Sequence, residues 1–176
     1  MRRRAFLIAA VTALACCPVA PARAAGASGQ CKTQRGAITF SPTLPKRSNP
    51  KKVPTILTID GTVSNCTLFA PFAGATSGKW RFVAVRSASS NCTTLKRGEN
   101  FKGKLVFTVN TGKTFTGYLV LNTYTDSWSE TASLNGLLVN GHISIAWPAD
   151  GSCATRGLSK LAYKDDGRLA FLVPGF

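Results

Sequence analysis

The chain has 176 residues, with 22 Lys and Arg against 7 Asp and Glu, one His, six Cys and a formal net charge of +15. That length excludes an α/β-barrel enzyme and points to one domain. One His excludes any site that needs two, and seven carboxylates leave few pairs for acid–base chemistry.

In chain order, the first expectation is an export signal over residues 1–24. Arg2, Arg3 and Arg4 form a basic head, residues 5–15 an apolar run too short to span a bilayer, and Pro18 and Pro21 end it. Ala22-Arg23-Ala24 places small residues at the two positions a signal peptidase reads. Arg3-Arg4-Ala5-Phe6-Leu7 also has twin-arginine character, with Arg2 in place of the usual Ser or Thr, so general secretion and twin-arginine export both stay open. A lipoprotein reading of Cys16 and Cys17 fits badly, because Leu14-Ala15 does not suit that motif and a cut there leaves an odd Cys. Removal of residues 1–24 takes four Arg with it. It leaves one secreted domain, residues 25–176, with 18 basic and 7 acidic residues, a net charge of +11. No later apolar stretch approaches the ~20 residues of a membrane helix.

The mature chain reads as strands. No segment holds a 3.6-residue apolar period over a useful helical length, and short β-branched and aromatic runs recur between Gly, Pro, Asn, Asp and Ser. The predicted strands are 37–41, 55–63, 80–86, 104–110, 114–122, 134–139, 142–147, 158–163 and 168–173. Between the first two, residues 42–54 form a long exposed loop holding four Pro and four basic residues. Leu105, Phe107 and Val109 share one face of their strand, as do Phe115, Leu119 and Leu121, and Ile143, Ile145 and Trp147. Hairpin turns are expected at Asn110-Thr111-Gly112, at Asn140-Gly141 and at Asp165-Asp166-Gly167. Period-two alternation without crossover helices specifies an all-β fold. The expectation is an antiparallel β-sandwich or Greek-key β-barrel of about 8–10 strands.

Four Cys remain after the signal: Cys31, Cys66, Cys92 and Cys153. In an exported chain an even number reads as two disulfides. The favoured pairing is Cys31–Cys66 with Cys92–Cys153, and Cys66–Cys92 with Cys31–Cys153 competes with it. Each bond closes a loop of tens of residues and contributes roughly 3–4 kcal/mol. No two of these Cys have zinc-ligand spacing and His142 stands alone, so neither a metal nor any other cofactor is expected.

Candidates for chemistry are few. His142 is the one proton shuttle near neutral pH, on a strand face opposite Ile143 and Ile145. Ser144 shares its face, but no Gly-x-Ser-x-Gly elbow supplies an activated nucleophile. Asp126 and Glu130 flank Trp128 in a polar segment, where an indole can stack on a sugar ring. Charge is the more unusual feature. Lys46, Arg47, Lys51 and Lys52 cluster in the first loop, and Lys96, Arg97, Lys102 and Lys104 in a second segment. Outside a cell such patches meet anionic cell-wall polymers and acidic polysaccharides. Nucleic acid is not the expected partner, because aromatics do not interleave with the basic residues apart from Phe101 beside Lys102 and Trp80 beside Arg81.

Several short motifs carry a family resemblance. Gly36-Ala37-Ile38-Thr39-Phe40-Ser41-Pro42, Gly61-Thr62-Val63-Ser64-Asn65-Cys66-Thr67, Cys92 before Leu95, Gly136 with Asn140-Gly141-His142, and Cys153 together resemble a group of small exported β-rich proteins of actinobacteria. The likeness runs from about Cys31 to Val173. It departs at Val106-Phe107-Thr108, where such proteins tend to place a Trp before a turn. It implies a secreted four-Cys β domain, adds weight to the sequential pairing, and carries over no activity and no site residues. The expectation is therefore a monomeric, non-enzymatic secreted protein that holds anionic polymers on its basic loops. The alternatives are a carbohydrate-binding or glycan-hydrolysing protein using Asp126, Glu130 or His142, and a module that docks a host or partner protein.

Overall fold

The structure is a computed structural model, and it describes residues 27–45, 54–86, 91–124, 126–148, 157–165 and 169–172. Nine strands and one short helix follow in order: β1 (Ala27–Leu44), β2 (Thr55–Leu68), β3 (Ser77–Arg86), α1 (Cys92–Arg97), β4 (Asn100–Val109), β5 (Thr114–Asn122), β6 (Ser127–Leu134), β7 (Leu137–Ala146), β8 (Leu158–Asp165) and β9 (Leu169–Leu172).

Each strand from β1 to β8 pairs antiparallel with the next, and β8 pairs back onto β1. The sheet is therefore a closed up-and-down barrel of eight staves. A sandwich is excluded because closure leaves one continuous sheet, and a Greek key because every stave neighbours its successor. The ninth strand is the second half of the last stave. β8 and β9 both run antiparallel to β1 and to β7, so they follow one another along the same gap. Gln34 pairs with Asp165 and Cys31 with Leu169, three residues of β1 against four. β8 and β9 therefore do not form the expected hairpin with one another, and Asp166 and Gly167 of the expected turn lie outside the described residues.

Alternation fills the barrel. β7 reads buried and exposed in strict turn from Leu137 to Ala146, and β6 places Trp128, Glu130, Ala132 and Leu134 inside. Phe82, Ile59, Leu121 and Ile143 are fully buried in the same interior. The ends are plugged. At one, α1 lowers Leu95 into the barrel. Asn91 caps this helix by accepting from the Thr94 N–H at 2.9 Å while donating its own N–H to Thr94 Oγ1 at 2.9 Å. The Thr123 hydroxyl anchors it by donating to the Leu95 carbonyl at 2.9 Å. At the other end the β2–β3 loop inserts Phe72, whose ring lies 4.3 Å from that of Phe115 and 5.9 Å from that of Phe107. Among the described residues no helix is long and apolar enough to cross a membrane. A transmembrane barrel turns its apolar residues outward, and this one turns them inward.

The expected turn at Asn110-Thr111-Gly112 is present, with Gly112 at φ 86° and its N–H donating to the Val109 carbonyl. The expected turn at Asn140-Gly141 is not. Both residues lie inside β7, and the hairpin falls at Asn135 and Gly136, with φ of 47° and 85° as a type I′ turn requires. The stretch 134–139 is therefore split between two strands, and β6 occupies a segment expected to be a polar loop.

Cys31 and Cys66 face each other in the β1–β2 register and form a disulfide. Cys92, buried at the start of α1, is also disulfide-bonded. Its expected partner Cys153 lies outside the described residues.

One cross-strand row shapes the wall. Tyr163, Gly36, Gly61, Trp80 and Phe107 are successive partners over β8, β1, β2, β3 and β4. The two glycines leave the inner space that the Tyr163 and Trp80 rings fill, with centroids 6.0 Å apart. A Cβ on Gly61 would collide with both Tyr163 Oη and Trp80 Nε1. Gly61→Ala is therefore expected to lose about 1–3 kcal/mol of stability, read as a lower urea midpoint at constant slope. An unshifted midpoint would show that the aromatic wedge yields freely.

Candidate functional site

The outer wall is divided by charge. On β5, β6 and β7 no outward-facing residue is Lys, Arg, Asp or Glu. On the other staves the exposed side chains include Lys32, Arg35, Lys79, Arg81, Lys102, Lys104, Lys160 and Lys164, with Asp60 as the acid among the described residues.

Register gathers four of these cations. Lys164, Arg35, Thr62, Lys79 and Thr108 form one row across β8, β1, β2, β3 and β4. The neighbouring outward row holds Ala37, Asp60, Arg81 and Val106. Between these rows runs the backbone of the Gly36–Gly61 pair. A trough of about 660 Å³ follows, lined by Arg35, Lys79, Arg81 and Lys164 with Asp60 among them. A second hollow of about 510 Å³ shares Arg35, Thr62, Lys79 and Thr108 and extends it towards Asn110. Arg81 Nη1 lies 3.6 Å from Asp60 Oδ1, with both side chains mostly exposed. Such an exposed pair contributes little to stability. Arg35 and Lys79 have no carboxylate within 4 Å among the described residues. Arg35 sits directly opposite Lys164, a like-charge pairing that works against the sheet.

The expected basic clusters fare differently. Lys46, Arg47, Lys51 and Lys52 lie outside the described residues. Lys96 and Arg97 are exposed on α1 at the end of the barrel, and Lys96 Nζ rests 4.5 Å from the centroid of the Trp147 ring. Lys102 and Lys104 stand on the outer face of β4 and extend the cationic wall.

The candidates for chemistry are not brought together. Trp128 is fully buried inside the barrel, so its ring is not a platform for a sugar. Glu130 also points inward and accepts from Gln34 Nε2 at 3.0 Å. Gly141 lies opposite Glu130, and a Cβ there would stand 3.1 Å from Glu130 Oε2 and 2.6 Å from Leu169 Cδ1. That glycine therefore serves space rather than a turn. His142 faces outward opposite Ser129, with no hydrogen bond among the described residues. Asp126 is exposed just before β6. Among the described residues no three of His, Cys, Asp or Glu gather.

Inside the wall, a cavity of about 20 Å³ adjoins Gln34, Trp80 and Glu130. It has room for one water and nothing larger. Burial pushes the Tyr163 phenol well above its ordinary range, Glu130 and then Asp60 push in the same direction, and the Trp80 indole N–H partly opposes them. A scan against models of known protein families finds no match, and neither a curated protein nor a solved structure matches the chain.

The raised phenol has a stability consequence. The unfolded chain releases this proton near pH 10 while the folded barrel retains it, so the contribution is complete below that pH and is lost as pH rises above it. Denaturation midpoints of the wild type are expected to fall above about pH 10 more steeply than those of Tyr163→Phe. Parallel profiles for the two proteins would remove the phenol from the account.

Proposed function

We propose that this is a secreted, non-enzymatic, monomeric barrel that binds anionic cell-envelope or extracellular polymers on its cationic wall. Export by residues 1–24, a second disulfide between Cys92 and Cys153, and kinship with exported actinobacterial β proteins belong to the same reading. The observation that carries it is the row Lys164, Arg35 and Lys79, joined by Arg81 around one trough. Neighbouring staves stand about 5 Å apart, so these charges lie close enough to act on one chain of anions. A row of cations on adjacent staves raises the local positive potential, which draws a polyanion to this side of the barrel. The inward Glu130 and the outward His142 sit on opposite faces of the β6–β7 pair, which favours binding over catalysis.

The reading is tested by retention on immobilised polyanion across a salt series. Arg35→Glu/Lys79→Glu/Lys164→Glu is expected to reduce affinity at least ~10-fold and to cut the salt dependence by about three released counterions. Lys96→Glu/Arg97→Glu, at the end of the barrel, is expected to change both much less. Equal losses from the two variants would place the contact elsewhere.

One observation favours a second reading, the binding of neutral glycans. The uncharged wall exposes Tyr118 on β5, 76% accessible, and Tyr124 just beyond it, 69% accessible. Ser133 lies opposite Tyr118 on β6, with Thr131 and Asn140 further along β6 and β7, and Lys104 lies opposite Tyr118 on β4. A stacking aromatic among hydroxyls and amides suits a sugar ring better than a phosphate. On that reading Tyr118→Ala abolishes retardation in gels containing neutral polysaccharide and leaves polyanion retention intact. Identical mobility of wild type and variant in those gels would discard it.

A further inference from the structure

Among the described residues that line the trough, Asp60 is the one whose charge opposes an anion. It stands in the middle of the site. Arg35 and Lys79 are in the adjacent row on either side of Thr62, and Arg81 is its own cross-strand partner. The fold does not require the carboxylate there. The side chain is 58% exposed, its ion pair with Arg81 is long, and only Oδ1 takes part. A site built for negative charge alone would place any neutral residue at this position.

We infer that the trough selects polymers whose repeating unit carries both an anionic group and free hydroxyls, an acidic glycan rather than an inorganic polyanion. This rests on the reading of the trough as an anion site. Arg35, Lys79 and Lys164 hold the anionic group, and Asp60 accepts a hydrogen bond from a ligand hydroxyl, which a cationic wall alone cannot do. The floor suits such a ligand. The backbone of the inward-facing Gly36–Gly61 pair lies between the two rows and Val106 stands at one side, a floor on which the C–H face of a sugar ring can rest. Thr108 supplies a further hydroxyl at the edge.

The probes are polygalacturonate, which carries carboxylates and hydroxyls, and inorganic polyphosphate, which carries no free hydroxyl along its chain. Asp60→Ala raises the net charge by one. It is expected to tighten polyphosphate binding a few-fold and to weaken polygalacturonate binding about tenfold, the loss of a hydrogen bond to a charged group. Asp60→Asn keeps a carbonyl acceptor and is expected to recover part of the polygalacturonate affinity. The urea midpoints of both variants should match the wild type, and if Asp60→Ala does not fold, the comparison of Asp60→Asn across the two probes decides. Tighter binding of both probes by Asp60→Ala would make Asp60 a plain repulsive charge. Equal weakening of both would make it a strut for Arg81. Either result overturns the selectivity and leaves the anion site standing. No binding of either probe by the wild type overturns the anion site itself, and the selectivity with it.

Discussion

Tyr163 and Trp80 reach across the barrel interior only because Gly36 and Gly61 carry no side chain between them. This row ties the inside of the wall to the outside. Inward, it seats the Trp80 indole and the Tyr163 phenol in the space that side chains at Gly36 and Gly61 would take. Outside, the backbone of this inward-facing row separates two rows of polar and charged residues. The wall is thin enough there that Asp60, outside, acts on the Tyr163 phenol, inside. Packing and surface chemistry therefore cannot vary independently at this place. A larger residue at either glycine would collide with the interior rings.

The interior contains a second constraint. A carboxyl and an amide, Glu130 and Gln34, lie among apolar side chains, where an unpaired charge costs several kcal/mol. Their mutual hydrogen bond reduces that cost, and Gly141 opens the space into which the carboxyl fits. The partners come from β1 and β6, strands far apart in sequence that are not neighbours in the sheet. Such a contact is specific to one register of the closed barrel. A slip of β6 by one residue would expel Trp128 and Glu130 to solvent and bring Ser129 and Thr131 inside, so the polar pair favours the native closure over its nearest alternatives.

The alternation of Leu105, Phe107 and Val109, and of Phe115, Leu119 and Leu121, was legible because these strands follow period two without interruption. β6 was not. Trp128, Ala132 and Leu134 keep that period, but Glu130 breaks the apolar face and Ser127, Ser129 and Ser133 give the segment the composition of a loop. The two Asn-Gly pairs differ only in context. Asn135-Gly136 turns the chain, whereas Gly141 makes room for Glu130 and Leu169, and a local dipeptide rule cannot tell a turn from a cavity. Barrel closure was invisible because it depends on which stave meets β1, a contact between distant parts of the chain. The trough was hidden for the same reason. Arg35, Lys79, Arg81 and Lys164 are spread along the chain, and clusters counted along the sequence drew attention to Lys46–Lys52 and Lys96–Lys104 instead. A signal was present. Each of the four occupies the polar phase of its strand, two of them next to a glycine on the opposite phase.

The distribution of charge bears on why the protein is basic at all. Once the four arginines of the expected signal are set aside, +11 remains for 152 residues, a charge that by itself keeps a protein soluble, so the question turns on where it is placed. A surface selected only to repel its own copies gains most from charges placed evenly, since repulsion between neighbours then costs least. Here three consecutive staves turn none outward, while the other side of the barrel sets Arg35 against Lys164 and places Arg81 one row from Lys79. Asp60 is too exposed and too loosely paired to offset this crowding. A barrel that gathers its cations on one side, with Asp60 among them, has the charge distribution that the proposed polymer site requires.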